Sequence, residues 1–285
     1  MDLAVQIATS GILMGLVFGL TALGLTLIFG VMDIVNFAHG EFLMIGMYSA
    51  YLTSTFLFLE PILSLPIAAG VGFALGIGVY YLLVKHLLSG PMVAQLFGTF
   101  GLMLFLRYFV MFILGPDPRT ILHGFLVGKT LSIGAVAVDL SMVAAAGFST
   151  GLFILVSWMI EGTKLGRALR ATSIDTEAAG YMGINTEWMR ALAWGIGGAT
   201  AGIAGGLLAN FYYITPTVGM LFTMIAFATV ALGGFGSVRG AFVAGLIIGL
   251  IMMVAGQYLS HIKLAFVYFT YFLVVVIRPR GFFGW

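Results

Sequence analysis

The stretch LAVQIATSGILMGLVFGLTALGLTLIFGVM, residues 3 to 32, runs without a single Asp, Glu, Lys, Arg or His. An α-helix rises about 1.5 Å per residue, so about 20 mainly apolar residues cross the hydrocarbon core of a bilayer. The opening run is longer than that. Residues 62–84, 141–160 and 191–238 are equally free of those five residue types. The whole composition agrees, with 61% of the 285 residues hydrophobic and 8% charged, where soluble domains average about 25% charged. So little polar material cannot coat a water-facing surface, and lipid must be the solvent for most of the chain. The fold class is therefore all-α, a polytopic helical membrane protein in a single transmembrane domain over residues 1–285.

Apolar runs and the turn residues between them place helices at about 4–29, 42–59, 62–84, 91–114, 141–160, 190–209, 218–232, 240–258 and 263–277. That gives about eight or nine transmembrane segments. The ambiguity lies near 31–42, where a broken or re-entrant helix would sit. Loop 115–139 opens on a Pro-Asp-Pro turn and then alternates weakly, as a small hairpin would. The one long hydrophilic stretch is 161–188. The opening MDLAVQIATSGILMG lacks a basic flank and reads as a retained first span. Cysteine is absent, which excludes disulfides and thiolate metal sites.

Basic residues orient the chain, because cytoplasmic loops carry the excess of Lys and Arg. Placing 161–188 in the cytoplasm puts Lys85, Lys164, Arg167, Arg170, Arg190, Arg239, Arg278 and Arg280 on that side. Only Arg119, Lys129 and Lys263 then lie outside. The C-terminus is expected in the cytoplasm, with loop 115–139 facing outward. Nine crossings would leave the N-terminus outside, whereas a dip at 31–59 would leave it inside. Arg107 falls within a span, about 10 Å from its outer end. That is within snorkelling reach of the interface, so a structural role is favoured over the functional one that an intramembrane charge otherwise suggests.

Glycine, at 40 residues, is the other organising signal. Gly11, Gly15 and Gly19 repeat every fourth position, as do Gly198, Gly202 and Gly206, and Gly245 and Gly249 form a further pair. Small residues on one stripe let helices approach closely in lipid. The stripes fit tight packing inside one bundle and equally a subunit interface.

Two segments carry candidate function. In IVNFAHGEFLM, residues 34 to 44, Asn36, His39, Gly40 and Glu41 cluster between greasy runs. They fit three roles: capping a helix break, lining a solute pathway or gate, or forming an interfacial turn. In 161–188, TSID (172–175) has the form of a capping box, with about two helical turns to follow. Gly180 and Gly183 are natural stops, and Asn185 begins the next span. Such a helix would expose Ala178, Ala179 and Gly180 for close approach by a partner, with Glu177 at the rim. An ordinary solvated loop with an incidental turn is the other reading.

GRALRATSIDTEAAGYMGIN resembles the coupling loop of ABC-importer permeases, in the form used by the branched-chain amino-acid permease family of the LivH type. LGLTLIFGVMDIVNFAHGEFLMIGMY, ALGGFGSVRGAFVAGLIIGL and PRGFFG resemble that family's opening signature, Gly-rich late region and tail, in order. The resemblance implies a transmembrane permease subunit of a binding-protein-dependent ABC importer for branched-chain amino acids or a related small polar solute. Asp175, Glu177, Ala178, Ala179, Gly180 and Gly183 would then couple to the ATPases, and Asn36, His39, Gly40 and Glu41 would form the pathway or gate. It implies as partners two ATP-binding subunits, a second related permease or a self copy, an extracytoplasmic solute-binding protein, and membrane lipid, but no nucleic acid. This chain would bind no cofactor, since ATP and Mg are used by the partner ATPase subunits. The location implied is the cytoplasmic (inner) membrane of a bacterium or archaeon.

Enzyme readings fail on spacing. GFLVGKT (124–130) ends like a phosphate loop, but His123 stands where that motif needs its first glycine. The four histidines, at 39, 86, 123 and 261, have no metal-ligand spacing. A transport subunit without its own ATPase is expected. The main competitor is an ion-gradient-driven secondary transporter or channel, which would need acids in mid-span. Only Asp33, Glu41 and Asp139 come close, and each lies at a segment end. A purely structural scaffold is a third reading, and it leaves the 172–183 helix without a role.

Overall fold

The computed structural model describes residues 2–134, 136–278 and 280–284. Helix α1 (Asp2–Met32) is followed by α2 (His39–Phe56), then by a continuous rod from Pro61 to Leu87. That rod comprises a 3-10 turn, α3 (Leu65–Val79), a π turn and α4 (Lys85–Leu87). Next come α5 (Met92–Leu114), a hairpin of β1 (Thr130–Ile133) and β2 (Val136–Asp139), and α6 (Leu140–Gly162). The short α7 (Lys164–Ile174) and α8 (Thr176–Tyr181) precede α9 (Thr186–Leu208), α10 (Val218–Gly233), α11 (Val238–Tyr258) and α12 (Lys263–Ile277). The hairpin expected in 115–139 is present, antiparallel, with Thr130 opposite Asp139.

Contacts between loops sort the elements onto two faces. On one, Gln6 bonds Ala137 of the hairpin, Glu60 accepts from the Phe125 amide, and Arg119 and Ile214 exchange backbone hydrogen bonds. On the other, Lys85 pairs with Glu187 and Arg239 with Glu161. α1 starts on the hairpin face and ends on the α8 face. α12 ends on the α8 face too, where the Phe282 and Phe283 amides donate to the Leu232 and Gly233 carbonyls.

Segment 31–59 is therefore not a dip that returns to its own side. After α1 the chain doubles back through the non-helical residues 33–38, and α2 begins beside the middle of α1, where His39 reaches the Thr21 carbonyl. Thr21 lies about 16 Å from the α8-face end of α1. From there α2 runs on to the hairpin face. α10 repeats the device in reverse: residues 209–217 turn back from the hairpin face, and α10 then runs to the α8 face. Seven helices are long and apolar enough to cross a membrane, and with these two broken segments they make nine passes among the described residues. The start of α1 and the segment after α12 thus lie on opposite faces.

The two halves mirror each other with inverted direction. α1 packs on α11 through Gly11, Gly15, Gly245 and Gly249, and α9 packs on α3 through Gly198, Gly202, Gly72 and Gly76. A Cβ on Gly15 would sit 2.7 Å from the Leu246 Cα, and one on Gly46 would sit 2.2 Å from the Gly202 carbonyl oxygen. The glycine stripes are thus consumed by packing inside this chain, the first of the two readings left open by the sequence.

Asp139, Thr163, Asp175, Asn185 and Ser237 each cap the helix that follows with their own side chain. α2 and α10 begin within the bundle, and their N-cap residues Ala38 and Thr217 supply no side-chain bond. Pro279 of the tail motif lies outside the described residues.

Candidate functional site

At the start of α2, Asn36, His39, Gly40 and Glu41 come together and all are buried. Asn36 folds the lead-in: its Oδ1 accepts from the Ala38 amide at 3.0 Å, the local turn that short amide side chains favour. His39 Nε2 donates to the Thr21 carbonyl at 2.8 Å. Gly40 donates its amide to Thr223 Oγ1 of α10 at 3.0 Å, and that hydroxyl in turn donates to the Gly219 carbonyl. A neighbouring helix therefore supplies the cap that α2 lacks. Gly40 has to be glycine, because its Cβ would stand 1.9 Å from the Gly219 oxygen.

Glu41 carries the charge of the site. Its Oε1 accepts from Arg107 Nη2 at 2.6 Å and Nε at 3.2 Å. Its carboxylate also lies against Gly219 in the first turn of α10, where a Cβ would be 2.6 Å from Oε2. Amino-terminal ends of helices attract negative charge. Glu41 thus answers the start of its own helix, the start of α10 and one guanidinium. Three buried polar atoms of the cluster, Asn36 Nδ2, His39 Nδ1 and Glu41 Oε2, have no hydrogen-bond partner among the described residues.

Two expectations are corrected here. Arg107 does not snorkel: it is 9% exposed and turns inward to Glu41. The cluster is no interfacial turn either, since it sits beside the middle of α1. Arg107, Thr223 and Gly219 were missed as members of the site. Arg107 was the one signal available, as a cation well inside a span and not at its end, but its partner lies 66 residues away.

On the α8 face the coupling segment is more helical than expected. Thr172 is not a cap; it lies inside α7 and returns its hydroxyl to the Ala168 carbonyl. Asp175 is the cap, its Oδ1 accepting from the Glu177 and Ala178 amides at 2.9 Å. α8 runs through Gly180 and stops at Gly183, whose φ of +82° is the left-handed conformation that glycine adopts freely. Asn185 caps α9, as read from the sequence. Glu177, Ala178 and Gly180 are exposed, but Ala179 is buried at 4% and anchors the helix. Beside them Ile174, Tyr181 and Met182 are 86%, 81% and 83% exposed. No cluster of three or more potential metal ligands occurs among the described residues.

Residues 7–277 match the family model described as the permease component of the branched-chain amino acid transport system. The chain is 31% identical to the high-affinity branched-chain amino acid transport system permease protein LivH of Escherichia coli, over 96% of this chain and 94% of that one. It is 30% identical to the corresponding protein BraD of Pseudomonas aeruginosa, over 98% and 95% of the two chains. A probable LivH of Methanocaldococcus jannaschii is 32% identical over 85% of this chain and 78% of its own. No solved structure matches the chain.

Proposed function

This chain belongs to the permease-component family of branched-chain amino acid transport systems, and from that premise we propose that it is the membrane subunit of a binding-protein-dependent ABC importer. Its solute is a branched-chain amino acid or a related small polar molecule. The observation that carries the reading is α8. A capped helix of six residues stands out from the bundle on the face that also holds the end of α12, with Ile174, Tyr181 and Met182 exposed beside it. Apolar side chains held in water on a rigid projection are the mark of a surface that another protein covers. Ala178 and Gly180 let that partner approach closely, Glu177 sits at the rim, and Asp175, Ala179 and Gly183 fix the shape.

The partner of this surface is one of two ATP-binding subunits, which use ATP and Mg. The opposite face, carrying the hairpin and residues 210–217, receives an extracytoplasmic binding protein. A second permease, related or identical, completes the membrane unit in the cytoplasmic membrane, with the C-terminus inside. Asn36, His39, Gly40 and Glu41 form the gate of the solute path. Packed helices shift between discrete arrangements, so a push on α8 can reset the broken segments.

Reconstitution with the co-purifying proteins in liposomes tests this. Uptake of leucine that requires ATP inside and the binding protein outside is the expected result. Uptake driven by a sodium or proton gradient without an ATPase overturns it.

A further inference from the structure

We infer that a cavity on the α8 face, walled by α1, α6, α7 and the turn between α10 and α11, binds an aliphatic α-amino acid as its zwitterion, and that occupancy slows transport. The ligand class is read from the cavity itself. The regulatory consequence rests on the transport reading above.

The cavity holds about 410 Å³, within the range of small-molecule sites. Its position follows from how α1 ends. Thr26, Phe29 and Asp33 recur at helical spacing on one side of α1, and the Asp33 amide still bonds the Phe29 carbonyl at 2.8 Å. Asp33 itself takes φ +54°, a left-handed conformation that Asp tolerates better than most residues, and there the chain leaves the helix. The Phe29 ring packs on Phe235 of the α10–α11 turn, with centroids 4.4 Å apart. From the other side, α7 lays Leu169, Arg170, Ser173 and Ile174 along the cavity.

The lining separates by chemistry. Leu27, Val31, Leu169 and Val238 supply apolar surface. Asp33 and Arg170 bring one charge of each sign from two different elements, both exposed, and neither is in an ion pair among the described residues. Among those residues the Arg170 guanidinium makes one bond, from Nη2 to the Glu161 carbonyl at 3.3 Å, so most of its five donors are free. Thr26 is 1% exposed, and its Oγ1 has no hydrogen-bond partner among the described residues. A buried hydroxyl left alone is costly, and a polar ligand group, or a water held by it, supplies the partner.

Opposite charges set beside apolar surface match a zwitterion with an aliphatic side chain. The ammonium group goes to Asp33, the carboxylate to Arg170, and the side chain lies against Leu27 and Leu169. An aliphatic amine or acid satisfies one charge and leaves the other without a partner. Exposed charge contacts are individually weak, so the site fills only after the solute has accumulated on this face. α8 contributes no residue to the cavity, but Ile174 lines it and ends α7, and the next residue is Asp175, the cap that starts α8. A ligand bridging Asp33 and Arg170 ties α7 to the end of α1. It favours the arrangement that brings those groups together, and so slows a cycle in which α8 must move.

The chain has no cysteine, so Ser173→Cys reports on the cavity. In the whole complex in lipid nanodiscs without ATP, a charged methanethiosulfonate reagent is expected to modify Ser173→Cys beyond the background of the unsubstituted complex. Saturating leucine should slow that reaction several-fold. Isoamylamine and isocaproate, with one charge each, should protect far less, and Lys164→Cys at the exposed start of α7 should be indifferent to leucine. In proteoliposomes, leucine preloaded on the α8 side should lower the initial rate of ATP-driven uptake several-fold. Asp33→Asn and Arg170→Gln should keep the rate of unloaded vesicles and lose that inhibition. A Ser173→Cys that a partner covers and leaves unreactive, or that reacts equally with leucine present, overturns the site. Equal protection by isocaproate or isoamylamine overturns the zwitterion, and inhibition that is absent, or that survives in both variants, overturns the regulation. The labelling needs neither variant and decides alone if they fail to assemble. Uptake independent of ATP rejects the importer reading instead, and leaves the labelling to judge the cavity.

Discussion

Glu41 sits where the guanidinium of Arg107 and the first turns of α2 and α10 converge, and its burial makes each partner consequential. Removing one member of a buried pair strands the other, at about 3–5 kcal/mol. Arg107→Ala is therefore expected to lower stability by that order in detergent, read as a fall in melting temperature. The double variant Glu41→Leu with Arg107→Leu should recover most of the loss in stability while uptake stays abolished. Thr223→Val removes the hydroxyl that caps Gly40 and should destabilise by about 1 kcal/mol, with little effect on ATPase association. Of these residues, Asn36, His39, Gly40 and Glu41 stood out in the sequence because polarity is rare there. Their partners did not. Thr223 is 183 positions from Gly40 and is indistinguishable by type from any other helical threonine. Only the doubling back of residues 33–38 brings the two together.

Helices were legible where length and apolarity sufficed, and the boundaries of the Pro61–Leu87 rod and of α5, α6, α9, α11 and α12 fall close to those read from the sequence. Breaks were harder, because α2 and α10 differ from full spans in where they begin, and depth is a tertiary property. α7 was hidden for a different reason: its exposed, charged sequence reads as loop until packing against α6 and α9 is known. The burial of Ala179 beside the exposed Ala178 yields a paired prediction. Ala178→Trp should leave the permease folded but unable to bind or drive the ATPase, as measured by co-purification and coupled hydrolysis. Ala179→Trp should instead lower the yield of folded permease, because nothing can move aside without displacing α8. Equal effects of the two would remove the docking role of this face. Asp175→Ala, which deletes the cap, should cost about 1 kcal/mol and loosen α8 in hydrogen exchange.

Across the molecule, the nine passes among the described residues put the start of α1 and the segment after α12 on opposite faces, and from the distribution of Lys and Arg we propose that the α8 face is the cytoplasmic one. A cysteine at Leu3 should accordingly react with an impermeant maleimide added to intact cells, and one at Phe283 only after the membrane is opened. The inverted halves were not legible from composition, since their equivalence lies in direction and contact and not in shared residues. One detail of that architecture bears on how the chain is made. The last carbonyls of α10 find their donors in Phe282 and Phe283, which the ribosome delivers only after α11 and α12. Until then, this 16-residue helix ends in bare acceptors within a nascent bundle. The broken segment is therefore the last to be sealed, and a chain stalled before the tail emerges would hold an unfinished helix end for quality-control proteases to find.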